Sequence, residues 1–217
     1  SQLMRFIMYK REMYLRRIRP FYKNEQIKVL SGVRRAGKTE ILKMIQEEVR
    51  TSSDDAHIVY LSFELLENKV YRVSENLYSF IESKIVDDGF YYIFLDEIQF
   101  AISKEELRNP DKPIRLYSVL NGLLRLPNVD IYVTGSNSKL LSSEISTYLT
   151  GRFVLIPVYT LSFAEFIEFK KTYIQSLQDA SSDEYFDLYL KTGGFPFVAK
   201  TNHTQEENYQ IVDGIFS

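Results

Sequence analysis

Gln26-Ile27-Lys28-Val29-Leu30-Ser31-Gly32-Val33-Arg34-Arg35-Ala36-Gly37-Lys38-Thr39-Glu40-Ile41-Leu42 is the stretch from which the fold is read. Within it, two glycines, a lysine and a hydroxyl stand at the spacing that lets backbone curl around phosphate groups. Gly32 and Gly37 permit the curl with amide N–H groups turned inward, and a helix starting at Lys38 aims the positive end of its dipole at the same place. In such a loop the lysine reaches the β- and γ-phosphates of a nucleoside triphosphate, and the hydroxyl of Thr39 ligates magnesium.

A surface loop with coincidental glycines is the alternative, and the context weighs against it. Gln26 to Leu30 is a short β-prone run ending at the loop, and Glu40 to Arg50 places apolar residues at helical spacing directly after it. Strand, loop and helix therefore follow in the order that phosphate binding needs. The residues assigned to the nucleoside triphosphate are Gly32, Val33, Arg34, Arg35, Ala36, Gly37, Lys38, Thr39 and Glu40.

Composition sets bounds around this reading. The 217 residues, 45% hydrophobic and 26% charged, suffice for one large or two small domains with a proper core. A formal charge of −2 argues against a protein held to nucleic acid by bulk electrostatics, while leaving room for a local basic face. The absence of cysteine excludes disulfides, zinc–thiolate sites and thiol catalysis. His57 and His203 are far apart and read as surface or packing residues rather than metal ligands. No run of about 18 apolar residues and no export signal are present, so no membrane partner is expected and a cytoplasmic location follows by default.

Along the chain, Met8 to Arg19 has a helical pattern in which Met8, Tyr14, Leu15 and Ile18 share a face. Lys10, Arg11, Arg16, Arg17 and Arg19 are expected to stay wet, and Pro20 to stop the helix. The basic face is open to two readings, DNA contact or simple solvation, of which solvation is preferred. Strands are expected at His57 to Ser62, Tyr91 to Leu95, Asp130 to Thr134 and Arg152 to Pro157, with helices at Ser74 to Val86, Ile114 to Leu126 and Ser138 to Leu149. Ser103 to Pro113, charged and carrying two prolines, reads as a loop. With the strand before the phosphate loop, these elements predict an α/β fold: a five-stranded parallel sheet with helices on both faces. Residues 1–160 would form this core. Residues 161–217 read as a small helical lid broken at Gly193-Gly194-Phe195-Pro196, and the ending at Ser217, inside a partly apolar segment, is that expected ahead of a further C-terminal domain.

The second half of the site is Tyr91-Tyr92-Ile93-Phe94-Leu95-Asp96-Glu97, a buried strand delivering two acids at its C-terminal edge, where open α/β sheets bind ligands. Asp96 suits the outer shell of magnesium, and Glu97 suits a general base that polarises the attacking water. A pair of acids merely closing a strand is the bland alternative, made improbable by the phosphate loop upstream. Ser136 and Asn137, at the edge of the next strand, can sense the γ-phosphate or cap a helix. Gln99 either couples the acidic pair to a partner or is a surface turn residue. Arg152, after Gly151 and ahead of the fifth strand, is placed to project its guanidinium to a neighbouring copy's γ-phosphate or to form a surface ion pair.

GVRRAGKTEIL, FLDEIQ, TGSNSKLL, LTGRFVLIPVYTLSFAEF and GGFP, in this order over most of the chain, resemble the AAA-type ATPase family of bacteria and archaea whose members carry a C-terminal domain of unknown function. The resemblance implies a P-loop NTPase core of the additional-strand type, in which one inserted strand separates the acidic strand from the loop strand. It implies Walker A and Walker B elements, with ATP and magnesium bound by Gly37, Lys38, Thr39 and Asp96, and with Glu97 catalytic. Arg152 matches the family's Gly-Arg element.

The function expected is ATP binding and magnesium-dependent hydrolysis, coupled to conformational change or to remodelling of a protein or DNA partner, in a homo-oligomer with a trans arginine. Its rival is a nucleotide-gated switch or scaffold with little turnover. A small-molecule kinase is disfavoured by the water-activating pair Asp96-Glu97, and GTP preference by the lack of an Asn-Lys-x-Asp element.

Overall fold

The computed structural model describes residues 9–53, 55–109, 113–136, 149, 151–174, 180–200, 207, 210 and 212–214. Two compact units are formed. One comprises Met13–Gly32 and Lys38–Pro157, the other the described parts of Ser1–Glu12, Val33–Gly37 and Val158–Ser217.

The first unit is built on five strands: β1 (Ile27–Ser31), β2 (Ala56–Ser62), β3 (Phe90–Asp96), β4 (Val129–Gly135) and β5 (Phe153–Pro157). Their order is β2-β3-β4-β1-β5, and every pairing is parallel. The expected five-stranded parallel sheet is therefore present, with β4 inserted between the loop strand β1 and the acidic strand β3. Every residue of β1 and of β4 is buried, as both faces of a central parallel strand must be. Register aligns the C-terminal ends: Ser31 pairs with Gly135 and Leu95 with Val133.

Side-chain alternation divides the apolar residues between two faces. Ile27, Val29, Leu61, Tyr91, Ile93, Leu95, Ile131 and Val133 cluster with Leu77 and Ile81 of α3 (Ser74–Lys84) and with Leu116, Tyr117 and Leu120 of a helix at Arg115–Leu123. On the alternate positions Phe94 stacks on Tyr132, with ring centroids 4.8 Å apart, and Tyr22 meets Tyr132 edge-on. The helix after the phosphate loop, α2 (Lys38–Ser52), buries Ile41, Leu42, Ile45 and Val49, one continuous stripe at helical spacing. Each such side chain contributes about 1.5–3 kcal/mol when fully buried.

Three local departures from expectation have physical causes. Helix α1 covers only Glu12–Ile18, and the chain passes through Pro20 in a 3-10 turn at Arg19–Phe21, since a proline at the start of a turn lacks only an N–H that has no partner there. Tyr14, Leu15 and Ile18 are buried as predicted, whereas Met8 lies outside the described residues. Within the stretch read as a loop, Lys104–Arg108 is a short helix, α4. Ser103 accepts from the Glu106 N–H and the Glu106 carboxylate accepts from the Ser103 N–H, a reciprocal cap that outweighs the prolines downstream. The helix at Arg115–Leu123 is thus α5. Of the helix expected at Ser138 to Leu149 only Leu149, buried, is described. His57 stacks on Tyr91 and faces Asp87 at 3.4 Å, a packing role, while His203 lies outside the described residues.

The second unit holds α6 (Phe163–Tyr173), α7 (Ser182–Thr192) and α8 (Pro196–Lys200) around Leu161, Phe166, Phe169, Tyr185 and Ala199. Helices α6 and α7 each open with a Ser-x-x-Glu cap, at Ser162/Glu165 and Ser181/Glu184. Helix α7 ends at Gly193, whose φ of +64° suits glycine, and Pro196 starts α8. Gly194 is required by closeness: its carbonyl accepts from the Leu161 N–H at 2.6 Å, and a Cβ there would lie 2.2 Å from the Leu161 carbonyl oxygen.

Away from the phosphate-loop edge, at the N-terminal end of β1 and β4, Lys28 and Asp130 form a fully buried ion pair. Lys28 Nζ also donates to Asn24 Oδ1 and the Gln26 carbonyl, and Asp130 Oδ2 accepts from the Tyr132 hydroxyl at 2.7 Å and the Lys23 N–H at 2.9 Å. Burial pulls the Lys28 ammonium below its ordinary pKa, against the opposing pull of Asp130. Removing one partner strands the other charge in the core, so Asp130→Ala should lower unfolding free energy by about 3–5 kcal/mol in urea titration, while Lys28→Met with Asp130→Leu should recover most of the loss. A single variant within about 1 kcal/mol of wild type would show that the pair carries no such stake.

Candidate functional site

Asp96 ends β3, and its two carboxylate oxygens are shared among three hydroxyls. Oδ2 accepts from Thr39 Oγ1 at 2.8 Å and from the Tyr60 hydroxyl at 3.1 Å, and Oδ1 accepts from Thr134 Oγ1 at 2.5 Å. The register explains the meeting. β2, β3 and β4 deliver Tyr60, Asp96 and Thr134 to one edge, and α2 brings Thr39 there from the strand on the far side of β4. Asp96 is 3% exposed, so its charge is solvated by these donors rather than by water. Burial raises the Tyr60 pKa, with the Asp96 charge adding to the effect, which keeps the phenol a proton donor to the carboxylate.

Glu97 follows immediately with φ +57° and ψ +54°, left-handed backbone that a non-glycine residue occupies at a cost of about 1–3 kcal/mol. Three contacts hold it there. Its N–H donates to Thr134 Oγ1 at 2.9 Å, and its carboxylate is bound by Ser136 Oγ at 2.5 Å and by Gln99 Nε2. Gln99 closes the ring by donating to Ser136 Oγ at 3.3 Å and accepting from the Ser136 N–H, also at 3.3 Å. The turn that lifts Glu97 out of the strand is what brings Gln99, at the start of the 3-10 turn Ile98–Ala101, back onto it.

Lys38 is the buried cation of this edge. Its Nζ donates to the Gly32 carbonyl at 3.0 Å and stands 3.5 Å from Glu97 Oε1. Burial lowers its pKa, and the charges of Glu97 and Asp96 oppose that shift. Lys38, Thr39, Asp96, Glu97 and Ser136 are thus brought together, with Gly32 at their side. Glu40 points outward and pairs with Lys43 at 2.7 Å.

The remaining loop residues, Val33–Gly37, are described within the second unit. Arg35 has φ +64° and Gly37 φ +97°, left-handed positions flanking Ala36, whose N–H returns to the Val33 carbonyl at 3.2 Å. Alternation of this kind forms a concave nest of N–H groups, the backbone form that anion binding uses. Val33, Arg34 and Arg35 are exposed and Ala36 is fully buried.

Arg152 is not brought to the edge that holds Glu97. It is exposed, it precedes β5, and its carbonyl accepts from the Ile27 N–H at the N-terminal end of β1, about 17 Å along the five-residue strand from the loop. Asn137, the second sensor candidate, lies outside the described residues. Tyr60 and Thr134 were not singled out from sequence. Their only signal there is position, since both fall near the C-terminal end of a strand that a parallel sheet aligns with β3.

The donor set suits a hard divalent cation of the magnesium kind, an oxygen-binding ion that keeps several waters. Thr39 Oγ1 and the Asp96 carboxylate lie 2.8 Å apart, and among the described residues no group of three or more His, Cys, Asp and Glu side chains gathers anywhere. Such an ion would therefore be held by few protein groups and would take its remaining ligands from phosphate and water.

A parallel sheet with one strand inserted between loop strand and acidic strand, closed by a G-x-x-x-x-G-K-T loop, defines a P-loop NTPase fold. Residues 24–167 match the AAA domain model, and the chain belongs to that AAA-type ATPase family. An uncharacterized protein of Haemophilus influenzae is 34% identical over 211 residues, covering 96% of this chain and 48% of the relative. The uncharacterized protein MJ1544 of Methanocaldococcus jannaschii is 32% identical over 199 residues, covering 88% and 41% respectively. The chain thus spans about half the length of these curated relatives. Among solved structures, PCH-2 of C. elegans superposes with a TM-score of 0.63 at 12% identity, over 96% of this chain and 69% of that one, a likeness of fold. Among the described residues, no helix is long and apolar enough to cross a membrane.

Thr134 is fully buried and serves both acids, so Thr134→Val should leave an Asp96 oxygen and the Glu97 N–H short of a partner. Loss of about 1–3 kcal/mol of stability in urea titration is expected, together with faster hydrogen exchange at the Glu97 amide. Unchanged exchange there would deny Thr134 its hold on the turn.

Proposed function

We propose that the chain binds ATP with magnesium and hydrolyses it, using the loop Gly32–Glu40 as phosphate cradle, Lys38 as the cation on the outer phosphates and Glu97 as the base for the attacking water. The observation that carries this reading is the convergence of Lys38, Thr39, Asp96 and Glu97, drawn from two segments far apart in the chain, at one sheet edge. Thr39 and Asp96 would hold magnesium, which supplies charge neutralisation on the phosphates. Lys38 then exchanges the Gly32 carbonyl and Glu97 for phosphate oxygens. That exchange leaves Glu97 Oε1 to accept from the attacking water. Ser136 and Gln99, already on Glu97, are the groups that report γ-phosphate arrival to the turn Ile98–Ala101, and Asn137 is assigned to the same sensor.

Residues 161–217 act in this reading as the lid of a core formed by residues 1–160, and the work done with ATP is motion of that lid or remodelling of a protein or DNA partner. Arg152, remote from Glu97 of its own chain, is assigned to the γ-phosphate of a neighbouring copy. A trans arginine of this kind contributes roughly 10³–10⁵ in turnover.

A second reading, a nucleotide-gated switch that turns over slowly, is favoured by one observation: Glu97 accepts from Ser136 and Gln99 and faces Lys38, so the base is engaged by groups of its own chain. Turnover against protein concentration separates the two. A steep rise marks activation between copies, and a flat, low trace marks the switch.

Purified protein with Mg-ATP should release phosphate, Lys38→Ala should lose nucleotide binding, and Glu97→Gln should keep it while turnover falls roughly 10²–10⁴-fold, as measured by phosphate release and by equilibrium binding. Equal ATP affinity in Lys38→Ala and wild type would sink the proposal.

A further inference from the structure

Arg11 belongs to a run of basic residues that helical spacing assigns to solvent, yet it is 4% exposed. To four described residues alone its guanidinium donates five hydrogen bonds. Nε and Nη2 donate to the two Glu165 oxygens at 3.0 and 3.3 Å, Nη1 donates to the carbonyls of Ala36 and Tyr159, each at 3.0 Å, and Nη2 reaches the Thr160 carbonyl at 3.3 Å. Glu165 is itself fixed, because its carboxylate caps the Ser162 N–H at the start of α6. Burial works against the Glu165 charge, but the hydrogen bonds from Arg11 and Ser162 outweigh it and hold the carboxyl below the usual range.

The leg to Ala36 is the informative one. A loop that turns its N–H groups toward an anion must send carbonyls the other way. Ala36 is fully buried, so its outward carbonyl cannot take a hydrogen bond from water and needs a protein donor. The Arg11 guanidinium is that donor, charged and unable to deprotonate. It also lies 3.7 Å from where a Cβ of Gly37 would stand, with Pro196 Cγ at 3.5 Å, so the outside of the loop is packed as well as hydrogen-bonded. On the next residue, the Arg35 guanidinium sits 5.3 Å from the Phe197 ring centroid. The two left-handed positions, Arg35 and Gly37, thus flank the carbonyl that Arg11 holds.

We propose that Arg11 is a positioning residue for nucleotide binding: its planar guanidinium, anchored by Glu165 and the carbonyls of residues 159 and 160, holds the Ala36 carbonyl outward and so keeps the phosphate loop in its anion-receiving shape. The proposal rests on the ATP-binding reading of Gly32–Glu40. Arg11 touches no reacting atom. It acts through the shape of Val33–Gly37, so its loss weakens ATP binding and leaves the step at Glu97 intact once ATP is bound. Lysine cannot replace it, because a single ammonium cannot span a carboxylate edge and three carbonyls.

The test uses the full chain, with Kd for Mg-ATP by titration calorimetry, KM and kcat by phosphate release, and hydrogen exchange without nucleotide. Arg11→Ala and Arg11→Lys should raise Kd and KM about tenfold while kcat at saturation stays within about twofold. Exchange should quicken at residues 33–37 and stay unchanged in β1 and β3. Glu165→Gln, which keeps acceptors for Arg11 but removes the opposite charge, should move Kd in the same direction by less, and it decides the matter if the Arg11 variants do not fold. Unchanged Kd, or lower kcat at unchanged KM as a smaller active fraction would give, overturns the positioning role. If wild type and Lys38→Ala both fail to bind ATP, the ATP-binding reading itself has failed and this proposal falls with it. If wild type binds and Lys38→Ala does not, any failure belongs to Arg11 alone.

Discussion

Thr39 and Asp96 stand on opposite sides of an inserted strand, yet hydroxyl and carboxylate meet at 2.8 Å. Everything at the C-terminal edge of the sheet depends on that meeting. It exists because β3, β4 and β1 run parallel in a register that ends them together, and because α2 starts at once after the loop leaving β1. A shift of one residue in β4 against either neighbour would turn Thr134 to the other face and break its bonds to Asp96 and Glu97. The apolar cluster around Ile93, Leu95, Ile131 and Val133 opposes such a shift, since the same slip would send each of those side chains out of the core.

The sheet therefore places polar groups at both ends of a dry interior, with opposite consequences. At the N-terminal end Lys28 and Asp130 are closed off and fully partnered, which specifies how β1 and β4 pair. At the C-terminal end the polar groups hold one another: Lys38 donates to a carbonyl and faces a carboxylate, and Asp96 accepts from three hydroxyls. The left-handed turn at Glu97 belongs to the same edge. Strain at a residue carrying a carboxylate is tolerated because Thr134, Ser136 and Gln99 over-determine its position.

Elements that rest on local rules were legible in the sequence. The strand-loop-helix around Gly32–Thr39 follows from glycine freedom and helical spacing, and Tyr91 to Leu95, within the strand Phe90–Asp96, declares itself buried and parallel by being almost wholly apolar. Charge and two prolines point residues 103–113 to a loop, yet the Ser103-x-x-Glu106 cap, equally present in the sequence, makes Lys104–Arg108 a helix. Arg11 departs from its pattern for a different reason. Spacing assigns a basic residue to the wet face of its own helix, but the partners that bury it lie 25, 148, 149 and 154 residues away, beyond what any local pattern carries. The acids Asp96 and Glu97 were recognisable by type and place. The network that binds them was not, because Thr134 and Tyr60 look like ordinary strand residues until register sets them beside a carboxylate.

The strand order has an outcome for how this chain comes into being on the ribosome. β1 leads the five strands, but its two neighbours in the sheet are β4 and β5, the last of the five in chain order. Until they appear, Ile27–Ser31 has an apolar surface and unused backbone groups on both sides, while β2 and β3 can already zip together. The nascent protein must therefore keep a fully buried strand waiting, the kind of delay that non-local parallel pairing brings to folding.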